Sequence, residues 1–233
     1  MAKRPTFIVN DSLEQPVKVD WIEFTWVPGM SKKQKQKCVD SLHLAIQQKE
    51  NYKTLEISSK SRDSLGVNLS AFNLGFFYKG KFISVESAFQ GSKVFEYGGP
   101  FPELYERNAR DAKRFFKENE FGPLTEFSFF NQSWALEPKT AFYDWLYINS
   151  LKQNPRLADA LINYNCFTDI EFNPKRSINC QAYSAALYVY LQKQGELENA
   201  TETQESFLYF LRDIPDWLSV SEYSKYHDTD RLC

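Results

Sequence analysis

The sequence predicts a single α+β domain that is predominantly helical, with short strands near the N-terminus and around one polar helix. Three observations predict it. Segments with apolar residues at helical spacing recur through the second half of the chain, whereas period-two runs are short and mostly lie before residue 84. No repeat and no Pro-, Gly- or Ser-rich linker divides the 233 residues, so one large domain fits the length better than two small ones. Hydrophobic residues at 42%, with 20 Phe and 13 Tyr, supply a substantial core and place the chain outside disordered compositions.

The elements follow in order. Met1 to Asp11 is short and basic and reads as loosely held. Val19 to Val27 alternates as a strand carrying Trp21 and Trp26, and Pro28-Gly29 stops it. Ser31 is placed to cap a helix to about Lys49, with Val39, Leu42 and Ile46 as its apolar stripe. Thr54 to Ser59 reads as a second strand, and Ser58 to Asn68 as a polar loop in which Lys60 and Arg62 suit phosphate oxygens. Lys79-Gly80-Lys81 makes the tight turn of a hairpin over Phe76 to Ile83, and a helix follows from about Val85 until Gly98-Gly99-Pro100 breaks it. Leu104 to Lys117 reads as one charged helix, and Phe127 to Trp134 as extended or irregular. Helices are expected from Lys139 to Gln153, from Pro155 to Tyr164 and from Gln181 to Gln194, the last ended by Gly195. Between them, Phe167 to Cys180 reads as a short strand and a polar loop. Glu196 to Glu205 is acidic and reads as mobile, before a helix from Ser206 to Arg212 and a Tyr- and Asp-rich end.

Charge and composition exclude several classes. A net charge of −2 gives no general attraction to nucleic acid, so any contact with DNA is local or brief. Lys32, Lys33, Lys35 and Lys37 read first as a solvated helix face and second as a nucleic-acid contact. Cys38, Cys166, Cys180 and Cys233 form no C-x-x-C pair and no signal-peptide pattern precedes them, which points to reduced thiols in the cytoplasm. His43 and His227 stand near no second ligand at metal-binding spacing. No metal or other cofactor is expected, and a Ser-His-Asp triad is disfavoured. No apolar run approaches the ~20 residues of a membrane-spanning helix.

One stretch carries chemistry. If Ser84 to Lys93 is helical from Val85, then Glu86, Gln90, Lys93 and Tyr97 fall on one stripe, and Val85, Ala88, Phe89 and Phe95 bury the helix behind it. The same pattern also describes a surface helix whose Glu and Lys are solvated.

Leu69-Ser70-Ala71-Phe72, Gly80-Lys81 leading to Ser84-Val85-Glu86-(x)3-Gln90-(x)2-Lys93, and Ala109-Arg110-Asp111-Ala112-Lys113-Arg114 together resemble, in order and spacing, the NADAR family of ADP-ribose-processing N-glycosidases. Gln153-Asn154-Pro155-Arg156-Leu157 and the helix led by Asn179 resemble that family's C-terminal half. The likeness covers roughly residues 69–192 as a NADAR-like core, with 1–68 as a strand-helix-strand extension and 193–233 as an acidic segment with a helix. Leu136-Glu137-Pro138-Lys139-Thr140-Ala141 and Asn179-Cys180-Gln181-Ala182 look most like the branch that accompanies DarT-type toxins. Such toxins attach ADP-ribose to guanine in DNA, so the resemblance implies an antitoxin that removes it, with the cognate toxin as a functional partner. Many family members carry an Asp followed by Trp-Gly before the last helix. Here Glu171-Phe172-Asn173-Pro174-Lys175-Arg176 stands in that stretch, which leaves Glu171 or Asn173 to cover the role.

Breaking the bond between an anomeric carbon and the guanine exocyclic amine builds positive charge on the sugar, which a nearby carboxylate stabilises, or water is activated by it. Glu86 is the candidate for that role. Lys93 is the candidate to steady the leaving base or the 2-hydroxyl, or to attack the opened sugar as a Schiff-base nucleophile; a plain ion pair with Glu86 would look the same. Trp134 suits stacking on guanine or a place in the core. Gln90, Asn179, Ser70 and Asn73 offer groups for ribose hydroxyls or base edges, and Arg110 suits the diphosphate, although such side chains often only satisfy backbone groups. Two other classes fit the sequence: a non-catalytic ADP-ribose or nucleotide-binding module, and an antitoxin that grips the toxin itself.

Overall fold

The N-terminus, which reads from sequence as loosely held, is a strand inside the main sheet. The structure, a computed structural model, describes residues 1–116, 120–174, 177–215 and 217. The chain runs β1 (Ala2–Val9), β2 (Val17–Phe24), α1 (Lys32–Gln47), β3 (Thr54–Glu56), α2 (Ser64–Asn68), β4 (Gly75–Tyr78), β5 (Lys81–Ser84), α3 (Val85–Gly91) and β6 (Lys93–Phe95). A 3-10 turn at Pro102–Glu106 leads to α4 (Ala109–Phe115), β7 (Leu124–Phe129), β8 (Gln132–Trp134), α5 (Ala141–Lys152) and α6 (Pro155–Leu161). β9 (Cys166–Thr168), α7 (Gln181–Gln194), α8 (Leu197–Thr201) and α9 (Gln204–Leu211) complete it. Helix outweighs strand, as expected of the α+β class.

The main sheet has the order β2-β1-β9-β3. β1 pairs antiparallel with β2 along its whole length and with β9 only at Phe7 and Ile8. Pro5, which has no N–H to give, therefore lies where β1 has no partner on the β9 side. β3 runs parallel to β9 from Thr54↔Cys166 to Glu56↔Thr168. Residues 1–68, separable by sequence from 69–192, thus share one sheet with β9.

Period-two alternation in β1 decides what covers the sheet. Phe7 points to one face, where its ring meets Tyr183 of α7 edge-on at 5.7 Å. Ile8 joins Ile22, Phe24 and the α1 residues Cys38, Val39, Leu42 and Ile46 in a cluster on the other. The α1 stripe is the one its spacing predicts. Its start is secured by a capping box, in which Ser31 Oγ accepts from Gln34 N at 3.3 Å and Ser31 N donates back to Gln34 Oε1 at 3.2 Å.

Two smaller sheets frame α3. β4 and β5 form the expected hairpin, with Lys79 (φ 49°) and Gly80 (φ 78°) in the left-handed region that a two-residue turn requires. β6, β7 and β8 form the other, so Phe127 to Trp134 is a second hairpin.

Other departures have local causes. The loop from Ser58 to Asn68 contains α2, capped by Asp63, whose side chain accepts from Leu65 N at 2.8 Å. The single helix expected from Leu104 is split: Asn108 accepts from Asp111 N at 3.0 Å to start α4, and Ser87 Oγ donates to the Arg107 carbonyl at 2.9 Å. Glu196 to Glu205 is largely helical, because Leu197, Ala200 and Thr201 are buried and Lys152 Nζ reaches Glu198 at 2.7 Å. Lys117, and the Tyr- and Asp-rich end with His227 and Cys233, lie outside the described residues. Helix α7 ends at Gly195 in the left-handed conformation (φ 71°), as expected.

Gly91 joins α3 to the 3-10 turn at close quarters, accepting from Phe101 N at 2.7 Å. A Cβ there would stand 2.5 Å from the Tyr105 ring and 2.9 Å from the Phe101 carbonyl. Gly91→Ala would gain up to ~1 kcal/mol of helix propensity, but overpacking against a ring and a carbonyl costs roughly 1–3 kcal/mol. The clash outweighs the gain: urea denaturation should show a net loss of stability of up to about 2 kcal/mol, and an unchanged or raised midpoint would show that the turn can shift.

Candidate active site

The geometry around Glu86 begins with its backbone. Val85 N donates to the Leu74 carbonyl at 2.8 Å and Glu86 N to the Ala71 carbonyl at 2.9 Å, so the 69–74 loop holds the first turn of α3 from outside. Ser84 caps the helix by accepting from Ser87 N at 3.1 Å. The Glu86 side chain is only 8% exposed. Its Oε1 accepts from Gln90 Nε2 at 3.0 Å and lies 3.5 Å from Lys113 Nζ, contributed by α4. Lys113 Nζ also sits 5.7 Å from the centre of the Phe72 ring. An exposed lysine and an exposed aromatic ring thus converge on a nearly buried carboxylate.

A second carboxylate group lies at the carboxyl ends of β3 and β9. Asp169 Oδ1 accepts from Glu171 N at 2.9 Å and Phe172 N at 3.1 Å, and Oδ2 accepts from Gln181 Nε2 at 3.0 Å. Beside it, Glu56 Oε1 accepts from Ser58 Oγ at 2.6 Å and Ile170 N at 2.8 Å, while Oε2 accepts from Thr168 Oγ1 at 2.6 Å. The Thr168 hydroxyl also lies 2.9 Å from His43 Nε2, which joins His43 to the same group.

Gln181 ties this sheet end to Glu86. Its Nε2 also donates to the Ile57 carbonyl at 2.7 Å, and its Oε1 accepts from Ala71 N at 2.7 Å. Ala71 is the residue whose carbonyl holds Glu86 N. Tyr143, 5% exposed, has its phenol pushed well up, by burial first, then by the charge of Glu86 and less by that of Asp169. One hydroxyl feels both acids.

The structure places the remaining expected residues as follows. Gln90 is on the Glu86 stripe. Lys93 and Tyr97 are not, because α3 stops at Gly91 and Lys93 opens β6, paired with β7 at Phe127. Lys93 Nζ lies 5.4 Å from the Phe89 ring and 5.1 Å from that of Phe116. Lys113 of α4 is paired with Glu86, Nζ to Oε1, at 3.5 Å. Trp134 is 1% exposed and packs against Phe142 (5.5 Å) and Trp145 (5.1 Å), so it is a core side chain with no face open for stacking. Ser70 and Asn73 shape the loop: the Ser70 carbonyl accepts from Asn73 N and Leu74 N at 2.7 Å, and Asn73 Nδ2 donates to the Val67 carbonyl at 2.8 Å. Arg110 is exposed on α4. Asn179 keeps a buried Oδ1 without a hydrogen-bond partner, an acceptor available to a ligand.

Sequence reasoning missed Lys113, Gln181, Asp169 and Glu56. Asp169, two residues ahead of the Glu171 and Asn173 expected to cover the family position, is the buried carboxylate of that stretch; Glu171 is partly exposed and holds lysines. Cavities of about 380 Å³ (lined by Tyr78, Ile83, Tyr105 and Phe130) and about 570 Å³ (lined by Tyr52, Asp63, Leu65 and Tyr164) do not include Glu86. Lys113 and Phe72 occupy the approach to it instead.

These features define an α+β domain with a nearly buried carboxylate on a short helix, tied by one amide to a second acidic cluster at the sheet end. The family model of the DarT1-associated NADAR antitoxins matches residues 2–216, and the chain belongs to that family. No curated protein matches it.

The acidic cluster makes stability depend on pH. Burial, then the neighbouring Asp169, raises Glu56 to about 8, and burial raises Asp169 to about 7. Both hold protons in the folded state that the unfolded chain has already released, so stability is highest at low pH and falls as pH rises through those values. His43 acts oppositely: burial lowers it to about 4, so its contribution is lost as pH falls below about 6.5. The window from about 6.5 to 8.5 isolates the acids. Across it, the thermal midpoint of the wild type should fall, and that of Glu56→Gln should fall less. Parallel curves would show that Glu56 does not titrate there.

Proposed function

We propose that the chain is an N-glycosidase that hydrolyses ADP-ribose from ADP-ribosylated guanine in DNA and so undoes the product of a DarT-type toxin. The observation that carries this reading is Glu86: a nearly buried carboxylate, held by Gln90 and countered by Lys113, approached through one exposed cation and one exposed ring. The family's association with a toxin, and the action of such toxins on DNA guanine implied by the resemblance, supply the substrate.

In this reaction the bond from the anomeric carbon to the guanine exocyclic nitrogen breaks, and its electron pair leaves with the base. Water adds to the sugar carbon, giving free ADP-ribose, and its proton ends on the guanine amine. Positive charge on the ring oxygen and anomeric carbon peaks in between, where a carboxylate at close range stabilises it and accepts the proton of the attacking water. Gln90 fixes the Glu86 rotamer through its hydrogen bond. Lys113, exposed at the surface, can give way to substrate and then face the leaving base. Phe72 beside it offers a ring to the extruded guanine, one of the two parts open to Trp134 in the sequence. With the chain's net charge negative, contact with the flanking DNA stays local. The protein then protects by reversing the modification and needs no lasting grip on the toxin.

Among the described residues, no three His, Cys, Asp or Glu side chains are grouped to hold a metal ion. Purified protein with guanine-ADP-ribosylated oligonucleotide should release ADP-ribose, and on the expectation that no metal takes part, it should do so in the presence of EDTA. Glu86→Gln should lower the rate on the order of 10²- to 10⁴-fold while keeping affinity for ADP-ribose. Lys113→Ala should also lower the rate, since Lys113 Nζ lies 3.5 Å from Glu86, and Lys93→Ala should lower it if Lys93 steadies the leaving base or attacks the opened sugar. Binding of ADP-ribose with no release by folded wild type would point to a non-catalytic module, and full protection of cells by Glu86→Gln would point to capture of the toxin.

A further inference from the structure

Three cations gather at the sheet end beside Asp169 and Glu171. Arg4 precedes Pro5 on β1, opposite Ile22, and its guanidinium lies 5.3 Å from the Trp26 ring. Lys35, in the second turn of α1, places Nζ 4.8 Å from the same ring and 3.2 Å from Glu171 Oε1. Lys60, beyond the end of β3, places Nζ 3.8 Å from Glu171 Oε2 and 3.1 Å from Ser59 Oγ. Two ammonium groups therefore share one carboxylate. The Lys35 and Lys60 side chains are only 11% and 25% exposed, whereas Lys32, Lys33 and Lys37 are the solvated face that sequence expects.

Arg4 is more conspicuous still. Its Nη1 donates to the Lys3 carbonyl at 3.1 Å, but its Nε is buried without a partner. Burial is the largest influence on it and disfavours its charge, opposed by the field of Asp169. Asp169 already accepts three hydrogen bonds from Glu171, Phe172 and Gln181, so it offers Arg4 charge rather than a fitted pair. A desolvated guanidinium with an unused donor is costly unless an anion completes it. Arg62, the other cation of the Lys60 loop, is not part of this set, because Nε and Nη2 both bind Asp40 at 2.6 Å.

We propose that Arg4 and Lys35, which flank Trp26, and Lys60, which shares Glu171 with Lys35, seat the diphosphate of the ADP-ribosyl group at the carboxyl ends of β3 and β9. The proposal rests on the glycosidase reading of the Glu86 site, to which this sheet end is joined through Asp169, Gln181 and Ala71. A diphosphate brings about two negative charges and many acceptor oxygens, and it can draw Lys35 and Lys60 from Glu171 while taking the free Arg4 donor. Arg110, exposed on α4, then has no necessary part in diphosphate binding.

Calorimetric titration with ADP-ribose tests this apart from turnover. Wild type should bind, inorganic pyrophosphate should compete, and affinity should weaken with added salt. Lys35→Ala and Lys60→Ala should each weaken ADP-ribose binding by about tenfold or more, with Arg62→Ala and Arg110→Ala close to wild type and all variants folded by circular dichroism. Equal affinity of wild type and both lysine variants for ADP-ribose would overturn the proposal. So would a loss confined to an unmodified oligonucleotide, which would assign these cations to backbone phosphates. If the lysine variants lose ADP-ribose while wild type releases none from modified DNA, the diphosphate seat stands and the glycosidase reading fails.

Discussion

One buried amide holds the separate parts of the structure in register. Gln181, the first residue of α7, donates from Nε2 to the Ile57 carbonyl and to Asp169, and accepts at Oε1 from Ala71 N. Those partners belong to the segment after β3, the turn after β9 and the loop before β4. A glutamine is suited to the place because it carries two donors and an acceptor on one uncharged group. Without it, an N–H, a carbonyl and a carboxylate would each lose a partner in a dry environment, at roughly 1–3 kcal/mol apiece. Ala71, so held, presents the carbonyl that fixes Glu86 N. The position of Glu86 thus depends on an amide at the start of α7.

What sequence reveals here is what local chemistry decides. The α1 stripe of Val39, Leu42 and Ile46, the Lys79-Gly80 turn, and the end of α7 at Gly195 are all set by spacing or by a residue's own backbone preference, and all are as expected. What escaped depends on distant partners. β1 is a short stretch of mixed polarity with Pro5 in it, and it becomes a strand because β2 and β9 flank it. Lys93 continues the helical spacing of Glu86 and Gln90, yet the pairing of β6 with β7 outweighs that spacing one residue past the cap. Asp169 sits in Thr-Asp-Ile-Glu, which by composition is an exposed turn, and only the parallel pairing of β3 with β9 buries it. Trp134 is ambiguous in sequence, and packing between Phe142 and Trp145 decides it.

The family assignment and the geometry support each other at different levels. Membership among the DarT1-associated NADAR antitoxins spans the N-terminal strands as well as the later helices, in keeping with a sheet to which β1, β3 and β9 all contribute. The proposed chemistry divides accordingly. In the proposal, Glu86 with Gln90 and Lys113 would meet the sugar carbon, Phe72 the base, and Arg4, Lys35 and Lys60 the diphosphate. Burial gives the arrangement its order, and the sheet end gives it its charge.

The most direct test of this account is the rate of ADP-ribose release from guanine-modified oligonucleotide by Gln181→Ala, measured well below that variant's unfolding midpoint. The account predicts a fall in kcat of at least about tenfold, or ~1.4 kcal/mol of barrier, in a protein that is still folded, because Ala71 and with it Glu86 lose their anchor. A folded Gln181→Ala that releases ADP-ribose at the wild-type rate would contradict it.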